Sequence, residues 1–423
     1  MNSTRPPRTR TLVAVAVPLV VAALLVALAS VVSPQQPTVR LVTPAPLVKS
    51  RSCAFVGAPG SLVTTGSGVL TTTLAGEEIE NPAAPGAITG SVLLRQEGPD
   101  PLGAGVRSQS RDGMLWAECE PPATAGAVII PDPATAELVL VNPDRTDAGV
   151  NISLSGATGE IQSAGLRGII VPAHSMVRVP VSVHAPAGAP VTATYQTSQG
   201  RVQGAVRSLS AAPEQVVTSL PLPEAVFATL PERPDQVRVL LHNPGSVRAD
   251  VTIEMLGPRG RFAPANGTAS LGPNTTLMVD LTAAFAEESM GLVVTSATPV
   301  LSMVATTGAN DIAWVLPQPA EAELLDAVPA GVLQVVNPST NEASVTLTQR
   351  AAGSSGDTTE TLVIPAGASA QRPVGSGQVQ IVSTTAVAGG VRLNGTGQAV
   401  SRVRAPVTTI SAVPGVLDPQ IGQ

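Results

Sequence analysis

The side chains that could carry chemistry are few, and their spacing fits no reactive constellation. Lys49 is the one lysine of the chain, so the folded part offers no Walker lysine and no Schiff-base lysine, and Pro46 stands where an S-x-x-K motif would need its serine. G-x-S-x-G is absent; Ser67, between Gly66 and Gly68, and Ser376, between Gly375 and Gly377, read as loop residues. His174, His184 and His242 occupy unrelated positions and H-E-x-x-H is absent, so each reads as a surface or strand residue and neither metal nor cofactor is expected. Three groups of acids, Glu77 with Glu78 and Glu80, Glu287 with Glu288, and Glu321 with Glu323 and Asp326, could in principle flank a glycosidic bond. Sugar clefts want aromatic platforms, however, and two Trp, one Tyr and four Phe leave little for that use, so these acids read as solvated charge. Asp144 and Asp147 lack the third regularly spaced acid of a calcium loop. Asn-x-Ser/Thr matches at Asn151, Asn266, Asn274 and Asn394 matter only in a glycosylating host.

Two cysteines are present, Cys53 and Cys119, with no C-x-x-C motif and no zinc spacing. An even count in an exported chain points to a disulfide, which on the chain-entropy account stabilises the first module by roughly 4 kcal/mol. Export itself is read from the N-terminus. Leu12 to Val32 carries no charge, and as a helix it spans roughly 30 Å, one hydrocarbon core. Arg5, Arg8 and Arg10 precede it and no charge follows until Arg40, which places the N-terminus in the cytoplasm and the bulk outside. An uncleaved anchor is expected, because the apolar run continues through Val31 and Val32; cleavage after Ala29 and secretion is the alternative. Removing the three leading arginines leaves 21 basic residues against 30 acidic, a net of −9, which argues against nucleic acid or an anionic membrane face as partner.

The elements that would position any site are strands. With 39 glycines, 40 prolines, 13% charged residues and much Val, Thr, Ala, Leu and Ser, the chain reads as short strands and turns, and its 43% apolar content supplies a core that disordered chains lack. The arginine-for-lysine bias, with the Ala, Val, Pro and Gly excess, is the mark of a GC-rich genome. Pro34, Pro37, Pro44 and Pro46 make residues 34–50 an extended stalk.

Beyond it lies a threefold repeat. An apolar strand runs into Asn-Pro at Asn142-Pro143, Asn243-Pro244 and Asn337-Pro338, and an alternating strand follows each time. A proline turn recurs at Pro172, Pro273 and Pro365, leading into a further strand. Strands ending in proline, Val128 to Pro131, Val217 to Pro221 and Ala313 to Pro317, are expected to open each repeat. Asn-Pro acts as punctuation, since proline gives a ladder no N–H and asparagine closes its own turn. About seven short strands per unit is the pattern of a β-sandwich. Residues 51–122 lack the Asn-Pro strand, yet Gly113 to Trp116 echoes Asn310 to Trp314.

The anchor, the cysteine pair with Trp116 just before the second cysteine, and the Asn-Pro strands resemble the actinobacterial proteins grouped as domain of unknown function family 5719. That resemblance implies an envelope location and supplies no activity. The expected architecture is all-β: a cytoplasmic tail (1–10), a transmembrane helix (11–33), the stalk (34–50), a disulfide-stapled module (51–122), three Ig-like β-sandwich repeats (123–216, 217–312, 313–410) and a tail (411–423). The expected function is a non-enzymatic, membrane-anchored envelope scaffold that meets an envelope protein or wall polymer. A small-ligand or wall-polymer binding module and an extracytoplasmic glycan hydrolase or transferase are the alternatives.

Overall fold

The computed structural model describes residues 48–406 except 66–67, 99, 112, 213, 286–289, 309–310, 355 and 396. Arg5, Arg8 and Arg10, the apolar stretch 11–33, almost all of the stalk, the C-terminal tail, Ser67, Glu287 and Glu288 lie outside the described residues. Among the described residues no helix is long and apolar enough to cross a membrane. The described chain is all-β, with three single-turn 3-10 segments, and belongs to one compact body. The stretch read as stalk through Ser50 already becomes strand at Val48, because Val48 to Cys53 pairs with a partner strand.

The first unit contains β1 (Val48–Cys53), β2 (Gly60–Thr64), β3 (Leu70–Thr73), β4 (Val92–Glu97), β5 (Ala104–Gln109) and β6 (Met114–Glu118). They form two three-stranded sheets, ordered β1-β4-β3 and β2-β5-β6, around a core of Phe55, Ile88, Leu94, Val106 and Leu115. Cys53 and Cys119 are bonded within that core, so the expected disulfide is present.

The first repeat contains β7 (Ala125–Ile130), β8 (Ala136–Asn142), β9 (Ala148–Gly156), β10 (Gly159–Ile161), β11 (Ile169–Val171), β12 (Ser175–Pro180), β13 (Val191–Gln199), β14 (Gln203–Ser208) and β15 (Gln215–Val217). One sheet runs β10-β9-β13-β7 with β11 on β9, the other β12-β8-β14-β15, a β-sandwich-like pair. The second repeat contains β16 (Leu222–Phe227), β17 (Gln236–His242), β18 (Ala249–Gly257), β19 (Gly260–Phe262), β20 (Thr268–Leu271), β21 (Thr276–Asp280), β22 (Gly291–Gly308) and β23 (Asp311–Val315). The third contains β24 (Glu321–Val328), β25 (Gly331–Val336), β26 (Ala343–Ala351), β27 (Thr358–Ile364), β28 (Ser369–Val374), β29 (Gly377–Leu393) and β30 (Val400–Val403). In these two, one long strand serves both sheets: the first half of β22 pairs with β16 and β18, and its second half with β17 and β23. β29 does the same.

The Asn-Pro strands are largely apolar on both sides because both of their faces are covered. On β8, Leu138 and Leu140 enter the repeat's own core while Val139 and Val141 meet Ala54 and Val56 of the first unit. On β17, Val239 and Leu241 turn into their own core and Leu240 joins the core of the repeat before it. β25 follows suit, with Leu333 and Val335 inward and Val336 against Val226 and Val293.

Two of the strands expected to open repeats close the previous one instead. Val217 ends β15, which pairs with β14, and Ala313 to Val315 lies in β23, which pairs with β22. Proline explains the shift: Pro221 and Pro317, with no N–H for a ladder, end the old sheet. The chain then enters the next one at Leu222 and Glu321.

Candidate functional site

The closing strands of the four units converge. β6 lies against β15 and β30, and β15 against β23. Trp116 and Glu118 from β6, Val216 from β15, Trp314 from β23 and Arg402 from β30 line a cavity of about 20 Å³, room for about one water molecule. The echo between Gly113–Trp116 and Asn310–Trp314 is thus the signal of equivalent closing strands. Nothing in the sequence pairs β15 or β30 with them, because neither carries a tryptophan.

Around this junction sit several ionisable groups with displaced titration. Arg402 grips Glu118, with Nε 3.0 Å from both carboxylate oxygens, and also donates to the Pro317 carbonyl at 2.8 Å. Arg404 holds Asp326, Nε to Oδ2 at 2.5 Å, and reaches Glu120. Arg51 bonds Glu120 at 3.1 Å and the Cys119 carbonyl at 2.9 Å. Three guanidinium groups therefore meet three carboxylates, from the first unit and the third repeat. Burial would raise Glu118, but Arg402 and Arg404 outweigh it and hold this carboxyl down to about 2. Burial likewise pushes Glu120 up, and Arg404, Arg51 and Arg402 override it downwards. Arg404 stays protonated against its burial because Asp326 and Glu120 face it. Buried pairs of this kind cost desolvation when formed and more when broken, so they fix which surfaces meet.

Two further buried carboxyls tie strands together. Glu214 accepts the N–H groups of Gln215 (2.7 Å) and Trp314 (3.2 Å), joining the first repeat to the second. Burial pushes it well above the usual carboxylate range. Asp311 accepts N–H groups from Ile312, Met114 and Gln398, and burial raises it as well.

The residues singled out by type are spread apart. His174 is exposed in a turn; His184 is half-buried with Nδ1 2.8 Å from the Ser163 hydroxyl. His242 is buried, 3.2 Å from the Thr276 hydroxyl, and burial pushes its pKa down to about 4, so it is neutral at physiological pH. Glu77, Glu78 and Glu80 are exposed in the loop after β3, and Glu321 and Glu323 lie exposed on β24. Asp326, expected beside them as a solvated acid, is buried on Arg404 instead, because β30 returns across β24. Asp144 forms a two-pronged pair with Arg201 at 2.8 and 3.0 Å, and Asp147 Oδ1 accepts the Ala173 N–H, so each carboxylate already has a protein partner. Ser376 lines a cleft of about 600 Å³ between the first unit and the third repeat, with Arg350 and Asp100 but no histidine. Among the described residues no three His, Cys, Asp or Glu side chains are grouped as a metal site.

Asn142, Asn243 and Asn337 are fully buried and do more than end a strand. Each side-chain oxygen accepts the N–H two residues on, and each amide donates to the carbonyl four residues on, at Thr146, Val247 and Asn341. The same amide also reaches the start of the proline turn, at Val171, Gly272 and Ile364. One asparagine thus pins two turns, a role for which local sequence gives no sign beyond the recurring spacing.

Among solved structures, the chain aligns with a tetra-tandem repeat in the extending region of a large adhesion protein at 12% identity, covering 85% of this chain and 95% of that one, TM-score 0.11. It aligns with Streptomyces avermitilis alpha-L-rhamnosidase at 8% identity, covering 85% and 54%, TM-score 0.13. The FN1–FN3 domains of chicken CNTN1 align at 9% identity over 68% of this chain and all of theirs, TM-score 0.10. Likeness this slight carries no argument. No curated protein matches the chain. The sequence profile of a family of unknown function, DUF5719, matches residues 89–374, more than half of the 423 residues, so the chain belongs to that family.

Proposed function

We propose that the protein is a non-enzymatic scaffold of the cell envelope, in which a disulfide-stapled β module and three tandem Ig-like β-sandwich repeats are carried outside the membrane on the N-terminal helix and stalk. The observation that supports this most is the use of the buried and half-buried charged groups: Arg51, Glu118, Glu120, Asp326, Arg402 and Arg404 are spent on each other at the contact between the first unit and the third repeat. A chain whose displaced carboxyls join strands of different units is suited to hold a rigid surface. The Arg5, Arg8 and Arg10 asymmetry and the uncharged run Leu12 to Val32 support anchorage with the bulk outside, and the family resemblance supports an actinobacterial envelope setting.

The test is complementation of a deletion strain with full-length variants. Glu321→Gln and Glu323→Gln should restore the phenotype fully, whereas loss of residues 11–33 should not restore it. Failure of either single carboxylate variant, with its fold intact, would establish catalysis and end the scaffold reading.

A further inference from the structure

The three proline turns have equivalent geometry but different surroundings. Each places one residue in the left-handed region, His174 at φ 50°, Asn274 at φ 53° and Gly367 at φ 67°. Glycine is the usual occupant of that conformation, and asparagine and histidine are among the few other residues enriched there. In the second repeat the turn is sealed against the unit before it, the Ser155 hydroxyl donating to Asn274 at 2.8 Å. In the third it is packed so closely that a Cβ on Gly367 would lie 2.8 Å from the Arg261 Cβ, and Arg261 also bonds the Pro338 carbonyl. In the first repeat the same turn stands open. His174, Pro143 and Arg145 border a cleft of about 470 Å³ whose other wall is the outer face of the first unit's β1-β4-β3 sheet.

The charge of this cleft opposes that of the protein. Arg95, Arg145, Arg201, Arg51 and His174 line it, with Asp144 the one acid. Arg201 is committed to Asp144 and Arg51 to Glu120. Arg95 and Arg145 are exposed and make no ion pair among the described residues. Ser50 and Leu70 flank Arg95 across the ladder, and Glu97, on the same face one alternation further, lies outside the lining. In a chain of net charge −6, two guanidinium groups without an ion pair among the described residues, beside a histidine in an open turn, mark a place suited to an anion.

We propose that this cleft binds a phosphate-bearing ligand, with Arg95 and Arg145 as the phosphate clamps and His174 as a further contact. The proposal is independent of anchorage and of the scaffold reading. Calorimetric titration of the full chain in detergent, first with pyrophosphate and then with a glycerol-phosphate oligomer, tests it. Binding of both, tighter for the oligomer, assigns a phosphodiester polymer, and binding of pyrophosphate alone assigns a small phosphate compound. Arg95→Ser with Arg145→Ser should weaken either by about tenfold or more per guanidinium, while Arg259→Ser, the same charge change at an exposed site elsewhere, should leave it unchanged. His174→Gly should raise the thermal midpoint, by relieving the turn, and still lower affinity. Absence of heat with both probes, or equal affinity in the double variant and in Arg259→Ser, would overturn the assignment.

Discussion

Asp311, in the second repeat, accepts the Met114 N–H of the first unit at 3.1 Å, and the same oxygen accepts the Gln398 N–H of the third repeat at 2.7 Å. Glycine on both sides makes this approach possible: a Cβ on Gly113 would lie 2.4 Å from Asp311 Oδ1, and one on Gly397 2.3 Å from Oδ2. Gly397→Ala should therefore displace the carboxylate from both N–H groups and cost about 2 kcal/mol in urea unfolding. An unchanged midpoint would remove Asp311 from the account of how the units join.

Acid should weaken the body in two steps. His242 has its pKa pushed from 6.5 to about 4 by burial, so its contribution is complete above 6.5 and is lost as pH falls towards 4. That lost contribution is about 3 kcal/mol. Glu118, held at about 2, adds stability that is present above its ordinary 4.5 and is lost as pH falls from there. His242→Gln should flatten the stability curve between pH 6.5 and 4 and leave the steeper loss below 4.5 in place.

Glu214 behaves in the opposite sense. Its raised folded-state pKa makes its stabilising effect complete below 4.5 and erodes it as pH rises towards the folded value. Glu214→Gln removes that slope, so the variant should gain on the wild type as pH rises above 4.5. Parallel stability curves would show that the carboxyl is not held neutral.

The recurring asparagine makes a sharper demand on chemistry than on size. Asn243→Asp keeps the acceptor for Gly245 but turns an oxygen towards the Val247 and Gly272 carbonyls, 2.7 and 3.0 Å from the present amide. The loss should be about 3 kcal/mol by chemical denaturation, and the same change at Asn142 or Asn337 should cost a similar amount.

What the sequence made legible was local. Alternating strands, the Asn-Pro stops and the Cys53–Cys119 pair follow from side-chain period, proline's missing N–H and cysteine parity, and each is present in the fold. The repeat boundaries lie away from where the proline spacing predicts them, because the ladder to β22 makes Ala313 to Val315 a closing strand. The contact of Arg402 and Arg404 with Glu118 and Glu120 spans 284 residues in sequence, and no local period encodes it. Asp326 stands close to Glu321 and Glu323 in sequence, yet its side chain is buried on β24 while theirs are exposed.

The chain has two tryptophans, Trp116 and Trp314, and both border the junction of the closing strands, so their fluorescence reports on that junction alone. Urea unfolding of the full chain followed by tryptophan emission, for the wild type and for Arg402→Ser, tests directly whether the buried ions fasten the first unit to the third repeat. The variant leaves Glu118 buried without its main partner, and its transition should move to lower urea by the equivalent of about 3 to 5 kcal/mol. A transition superimposed on that of the wild type would contradict the account.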